Sequence, residues 1–238
     1  METTPQVNRS QLDAFLKSAL SGTLPECPNV VGHRLIRHDI RQHTRNTWCR
    51  EFQKFKVFWF TGIPSYSLFV SSNRKLQFTN WSVLPIVTCP GAGACISFCY
   101  SLKSWMHPGA FFRQLQNTIL LQSVSGRAHI EKAWMDLPYG ITIRLFVDGD
   151  IDSIETLEFV FRLCEQRPDL QPYSYSKSWK IFLQYAQTGK SFPTNYTLNL
   201  SSGSIYGDAI KARMLALPIT RGTFEAFQID GYLSLIHI

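Results

Sequence analysis

The chain has 238 residues, of which 45% are hydrophobic and 17% are charged, and its formal net charge is +7. This composition excludes a mainly disordered chain, and no apolar run approaches the roughly 20 residues that cross a bilayer, which excludes a membrane-spanning protein. Residues 1–5 contain Glu2 and lead into no apolar segment, so we expect no secretory signal and a cytoplasmic location.

Positive charge is concentrated in the N-terminal half of the chain. Residues 52–130 contain no Asp or Glu. The basic residues of this stretch are Lys54, Lys56, Arg74, Lys75, Lys103, Arg113 and Arg127. Such asymmetry suits a polyanion, which is either nucleic acid or an anionic cofactor, and we predict nucleic acid as a partner of this half. The alternative is a solvated basic surface that binds nothing.

The predicted elements begin with a basic N-terminal region over residues 1–56, helical or irregular. Aromatic and β-branched residues then predict short strands at residues 57–60, 67–70, 76–81 and 83–88. A long helix is predicted over residues 111–134, with a break at Gly126.

Strands and helices then alternate along the chain. The predicted strands are residues 141–147, 171–176, 196–200 and 219–227, and the predicted helices are residues 154–167, 179–187 and 210–217. This alternation predicts an α/β fold, a parallel (βα) partial barrel preceded by a small β-rich, basic region. The α/β domain would span residues 57–231.

The last residues have an unusual sequence. The segment from Leu233 to Ile238 resembles translated sequencing adapter. We therefore expect residues 232–238 to be a non-native tail, with an ordinary apolar C-terminal strand as the alternative.

Three of the six cysteines lie on one short loop. Cys89, Cys95 and Cys99 have the spacing C-x5-C-x3-C, with Gly91 and Gly93 between the first two. Clustered thiols without a secretory signal favour a metal site over disulfides. Three thiolate ligands suit a 4Fe–4S cluster in which the fourth iron has no cysteine ligand and can bind a substrate or cofactor. The alternative is zinc, whose fourth ligand would be His107, Cys49 or Cys164.

Two further groups of polar residues follow predicted strands. Asp148, Gly149 and Asp150 follow the strand at 141–147, and Lys177 follows the strand at 171–176. Because ligands of parallel sheets bind at the carboxyl ends of the strands, these residues are expected to meet the cysteine loop. The carboxylates would cap the next helix, bind a cofactor amine or hold Mg²⁺. Arg144 lies within an apolar strand, so it needs a carboxylate or a bound anion.

Several short segments follow one another in a specific order. These are residues 72–76, residues 88–92 with Cys95, Cys99 with Tyr100, Arg144 with Gly149 and Asp150, and residues 175–179. Over about residues 65–215, this order resembles the gene product 88 family of phages and plasmids. The chain has Phe146 and Asp148 where that family usually has His and Ser.

The cysteine loop is also similar, more distantly, to that of radical S-adenosylmethionine enzymes, whose usual spacing is C-x3-C-x2-C. This likeness implies that Cys89, Cys95 and Cys99 ligate a 4Fe–4S cluster. It further implies that S-adenosylmethionine contacts Tyr100, Asp148, Gly149, Asp150, Ser201 and Ser202. Arg144 and Lys177 would then orient the substrate or its phosphate as catalytic residues. The alternative functions are a zinc-stabilised nucleic-acid-binding protein of a mobile element and a Mg²⁺-dependent nuclease.

Overall fold

An aromatic helix begins the part of the chain that the structure describes. The structure is a computed structural model and describes residues 42–71, 78–99, 101, 104, 107–229 and 232–237. Helix α1 spans Gln42–Thr61. The strand predicted at residues 57–60 is wrong, because these residues form the end of α1. Phe55 and Phe58, at helical spacing, are both buried, so packing of one helix face overrides the β-propensity of aromatic residues.

The remaining elements alternate as the sequence predicts. The strands are β1 (Val70–Ser71), β2 (Thr79–Asn80), β3 (Thr142–Leu145), β4 (Gln171–Ser176), β5 (Thr197–Ser201), β6 (Thr220–Ile229) and β7 (Tyr232–His237). The helices after α1 are α2 (Pro108–Leu121), α3 (Val124–Met135), α4 (Ile154–Gln166), α5 (Trp179–Gln187) and α6 (Asp208–Leu215). Helix α4 begins after Ser153, whose hydroxyl caps the helix by accepting from the Thr156 N–H.

All seven strands form one sheet, in the order in which they occur along the chain. Strands β2 to β6 are parallel, whereas β1 and β7 pair antiparallel at the two edges. Because parallel crossovers are right-handed, this order brings the intervening helices to one face, where each packs on its neighbours. The fold is therefore α/β with the topology of a partial (βα) barrel. Among the described residues, no helix is long and apolar enough to cross a membrane.

The two faces of the sheet differ in character. Ile143, Leu145, Leu198 and Leu200 are buried and belong to the core that the helices cover. The alternate residues of each strand point to the opposite face, which we call the inner face. These residues include Arg144, Tyr173, Tyr175 and Asn199, so the inner face is aromatic and polar rather than aliphatic.

Two local predictions need correction. Residues 83–88 do not form a strand, because the chain turns there. The Leu84 N–H donates to the Thr118 hydroxyl of α2 and not to a neighbouring strand. The predicted helix break lies at Gln122–Ser123, between α2 and α3, rather than at Gly126. Gly126 lies within α3, where a Cβ would stand 2.2 Å from the Leu120 carbonyl oxygen, so close packing of the helices requires glycine.

The predicted basic region falls mostly outside the described residues, which begin at residue 42. The part that is described belongs to α1, which continues past residue 56 and packs on α2. Ring centroids of Phe55 and Phe112 are 5.4 Å apart across this contact.

Candidate functional site

The carboxyl ends of β2 to β5 meet at one edge of the sheet. Beyond β2, the Val83 N–H donates to the Asp148 carbonyl oxygen at 3.0 Å, which continues the parallel pairing of β2 with β3. Lys177 follows β4 directly, and Ser202 follows β5. The loops after four adjacent strands therefore surround one region, as the sequence predicts.

The three cysteines of the loop after β2 lie in this region. Cys89, Cys95 and Cys99 are all half-buried, and Cys95 lies in a short 3₁₀ helix, Ala94–Phe98. Burial raises the pKa of the Cys89 and Cys95 thiols, and the neighbouring Cys99 thiol raises the pKa of both further. The charge of Lys177 lowers the pKa of both thiols, against the effect of burial.

The backbone of the loops after β4 and β5 holds the cysteine loop closely. A Cβ on Gly91 would lie 1.8 Å from the Lys177 carbonyl oxygen, so only glycine permits this approach. The Gly91 carbonyl oxygen accepts from the Ile205 N–H at 3.0 Å, and the Gly93 N–H donates to the Gly203 carbonyl oxygen at 2.9 Å. The cysteines are thus presented on a loop that contacts two neighbouring strand ends.

Asp150 joins two of these strand ends. Its two carboxylate oxygens accept from the backbone N–H groups of Lys177, at 2.7 Å, and Ile151, at 2.8 Å. Its own N–H donates to the Thr88 hydroxyl at 3.2 Å. Burial raises the pKa of the Asp150 carboxyl, whereas the hydrogen bond from the Lys177 N–H lowers that pKa. Asp150 therefore fixes Lys177 beside Thr88 and Cys89.

The other two carboxylates of this segment have different partners. Asp148 accepts from the Gln114 side-chain amide at 2.8 Å, and Asp152 accepts from the Gln122 amide and the Thr156 hydroxyl at 2.6 Å each. Burial raises the pKa of Asp148, while hydrogen bonding by Ser101 and the charge of Arg144 lower that pKa. Asp148, Asp150 and Asp152 thus diverge instead of forming a common site.

Arg144 lies on the inner face of β3. Its guanidinium carbon is 5.0 Å from the centroid of the Tyr175 ring. Among the described residues, Arg144 has no carboxylate within 4.0 Å, and its buried Nε has no hydrogen-bond partner. Of the two partners that the sequence predicts for Arg144, the carboxylate is not found among the described residues.

The remaining predicted cofactor-binding residues are distributed around the same edge. Ser201 ends β5 and is nearly buried, and Ser202 donates its N–H to the Phe224 carbonyl oxygen at 2.8 Å. Gly149 adopts a positive φ of 79° beside Thr88, where its missing side chain leaves space for the Thr88 hydroxyl. Tyr100 lies outside the described residues.

The donor chemistry of the loop fits a thiolate-bound metal centre. Three soft thiols stand on one glycine-containing segment, and a Cβ on Gly203 would lie 3.1 Å from the Cβ of Cys95, so the loop is closely enclosed. No three His, Cys, Asp or Glu side chains within the described ranges are already arranged to hold an ion. Cys164 is fully buried near the end of α4, at the opposite edge of the sheet, and cannot complete a zinc site here.

The family model described as gene product 88 matches residues 67–222. The chain belongs to the gene product 88 family. No curated protein and no solved structure matches it. The match to the gene product 88 family covers the sheet from β1 to β5 and the cysteine loop, together with every residue predicted to bind the cluster, the cofactor or the substrate.

Sequence reasoning missed the residues that position this site. The side chains of Gln114, Gln116, Asn117 and Thr118 are buried on α2, and all four bond loop residues near the strand ends. Four polar residues within five positions of a helix that is largely buried were a usable signal, because buried polar groups require partners. Asn80 was also missed, because the strand pattern does not show that its side-chain oxygen is buried without a partner among the described residues.

Proposed function

We propose that the protein is an iron–sulfur protein of the radical S-adenosylmethionine type that acts on a small substrate. The observation that supports the proposal is the close contact of the loop that carries Cys89, Cys95 and Cys99 with the Lys177 loop, where a Cβ on Gly91 would lie 1.8 Å from the Lys177 carbonyl oxygen. The three thiolates would hold a 4Fe–4S cluster, and single-electron transfer is the chemistry that such a cluster supplies when bound.

The protein's own residues would bind and orient the other components. Asp150 positions the Lys177 backbone, so the Lys177 ammonium stays beside the cysteine loop, where it favours negative charge. Ser201 and Ser202 would offer hydroxyl groups to S-adenosylmethionine from the end of β5. Arg144 would hold an anionic group of the substrate on the inner face, since no protein carboxylate within the described residues occupies that role.

Purification without oxygen, followed by iron and acid-labile sulfide analysis, tests this proposal. We expect about four iron and four sulfide per chain and absorbance that decreases on reduction. Replacing Cys89, Cys95 or Cys99 by Ser should abolish iron binding, because each removes one thiolate. The matched control is Cys164→Ala, which removes a distant buried thiol and should retain the iron.

A loaded protein would next be tested for cleavage of S-adenosylmethionine. One zinc and no iron would contradict the proposal and favour a zinc-stabilised nucleic-acid-binding protein. Iron retained by all three single cysteine variants would contradict the ligand assignment.

A further inference from the structure

The inner face of the sheet carries a cleft that the cysteine loop does not account for. The cleft has a volume of about 900 Å³ and is lined by residues that include Gln171, Tyr173, Tyr175, Asn199 and Arg221. None of its lining residues is Asp or Glu. This volume is within the range of sites that enclose small molecules.

Arg144, which pairs with the cleft residue Tyr173, and its neighbour Asn80 do not themselves line the cleft, but each carries a buried polar atom without a partner among the described residues. The Nε of Arg144 and the Oδ1 of Asn80 are both buried, and neither has a hydrogen-bond partner within the described residues. Asn80 and Arg144 are direct neighbours in the parallel pairing of β2 with β3. Leaving a buried donor and a buried acceptor unpaired is costly, so a ligand with an anionic acceptor and a hydroxyl or amino donor would relieve both.

Aromatic rings surround these two groups. Tyr173 pairs with Arg144 in the register of β3 and β4, and its ring lies 6.0 Å from the rings of both Phe78 and Tyr175. The Asp148 carboxylate, whose pKa the charge of Arg144 lowers, makes no ion pair with the arginine within 4.0 Å and instead accepts from Gln114. The inner face thus combines a guanidinium whose buried Nε has no partner among the described residues with rings on which a planar group can pack.

We infer that the inner face binds a nucleotide, with its phosphate on Arg144, a hydroxyl donating to Asn80 and its base against Tyr173. The inference deepens the proposed function, since it names the substrate class of the same Arg144, but it does not require the cluster. The same chemistry is offered by a free nucleotide and by a nucleotide within a single strand. Phosphate and guanidinium match in bidentate geometry, and bases stack on tyrosine rings.

Calorimetric titration of the full chain tests the inference. The probes are the four ribonucleoside 5′-monophosphates, the corresponding nucleosides, inorganic phosphate and a short single-stranded oligothymidylate. We expect at least one monophosphate to bind, and Arg144→Gln to weaken its binding at least about tenfold, equivalent to ~1.4 kcal/mol. Arg144→Gln should leave binding of the nucleoside unchanged, because the nucleoside has no phosphate.

Further variants separate binding from folding. Tyr173→Leu removes a ring from the cleft and should weaken the binding of nucleosides and nucleotides alike. This variant keeps the inference testable if Arg144→Gln does not fold. The matched control is Arg162→Gln, which removes an exposed guanidinium from α4, on the helix-covered side of the sheet. This variant should bind every probe as the wild type does. Circular dichroism melting of each variant verifies its fold.

Each outcome has a defined meaning. Binding of the oligothymidylate alone, weakened by Arg144→Gln, would support the inference and assign the nucleotide to a strand. Absence of binding by every probe up to about 1 mM, or equal binding by Arg144→Gln, would overturn it. Iron and sulfide are measured on the same preparation, so nucleotide binding without iron would reject the cluster and retain the nucleotide site.

Discussion

At the scale of single residues, most charged side chains near the strand ends serve to position the backbone. Asp150 accepts from two backbone N–H groups, and Asp148 accepts from a side-chain amide. Arg144 differs, because its buried Nε has no partner among the described residues. The carboxylates and the arginine near the strand ends therefore differ in whether their polar atoms find hydrogen-bond partners.

A charged pair at the opposite edge of the sheet yields a prediction on pH dependence. The Arg167 guanidinium donates to both carboxylate oxygens of Asp169, at 2.7 Å each, and lowers the pKa of Asp169 to about 2. The unfolded pKa is about 3.9, so stability from this pair is present above pH ~4 and lost as the pH falls toward 2. Urea unfolding between these pH values should show the loss.

The variant Asp169→Asn should reduce this pH dependence, since it removes the titrating carboxyl. Asp136→Asn, in an exposed pair with Lys132, is the control and should leave the dependence as in the wild type. An unchanged pH profile in Asp169→Asn would contradict the assignment.

At the scale of elements, helix α2 connects the N-terminal part of the chain with the site. One of its faces packs on α1, where Phe55 and Phe112 meet, and its buried polar residues bond the loops that precede the cysteines. The Gln116 side chain accepts from the N–H groups of Ser65 and Tyr66 at 2.7 and 2.9 Å. Helix α1 therefore supports the element that holds the site.

This arrangement predicts a large effect of truncating a ring on α1. Phe55 is fully buried, so Phe55→Ala should lower the free energy of unfolding by about 3–5 kcal/mol, measured in urea. Phe60 on the same helix is 73% exposed, and Phe60→Ala should change that free energy by less than about 0.5 kcal/mol. Equal effects of the two variants would show that α1 does not pack as described.

At the scale of the whole molecule, the candidate site is formed by loops that lie far apart in sequence. The cysteine loop contacts the loop after β4 through Gly91 and the loop after β5 through Gly93. Such contacts exist only when the sheet is assembled. The geometry of the cysteines is therefore linked to the stability of the whole parallel sheet.

Gly91→Ala tests this link. Its Cβ would lie 1.8 Å from backbone, so the loops must separate, and we expect a loss of about 1–3 kcal/mol in the free energy of unfolding together with weaker iron retention. Gly109→Ala is the matched control, because its Cβ would be 3.4 Å from a flexible Glu51 side chain, and it should be neutral or stabilising. Wild-type stability in Gly91→Ala would contradict the close approach of these loops.

The sequence alone determined the order of β3 to β6, the helices between them and the cysteine loop at the carboxyl edge. These features follow from local periodicity, from caps such as Ser153 and from the rule that parallel strand ends share an edge. The gene product 88 resemblance was also readable from short motifs and is confirmed by the family match.

Only the tertiary structure decided the remaining features. Residues 57–60 are helical because α1 packs on α2, and residues 83–88 leave the sheet because Thr118 binds their backbone. The structure also decided that Asp150 bonds backbone while Arg144 has no carboxylate partner among the described residues. Each of these features depends on a contact between residues distant in sequence, and local propensity contains no information about such contacts.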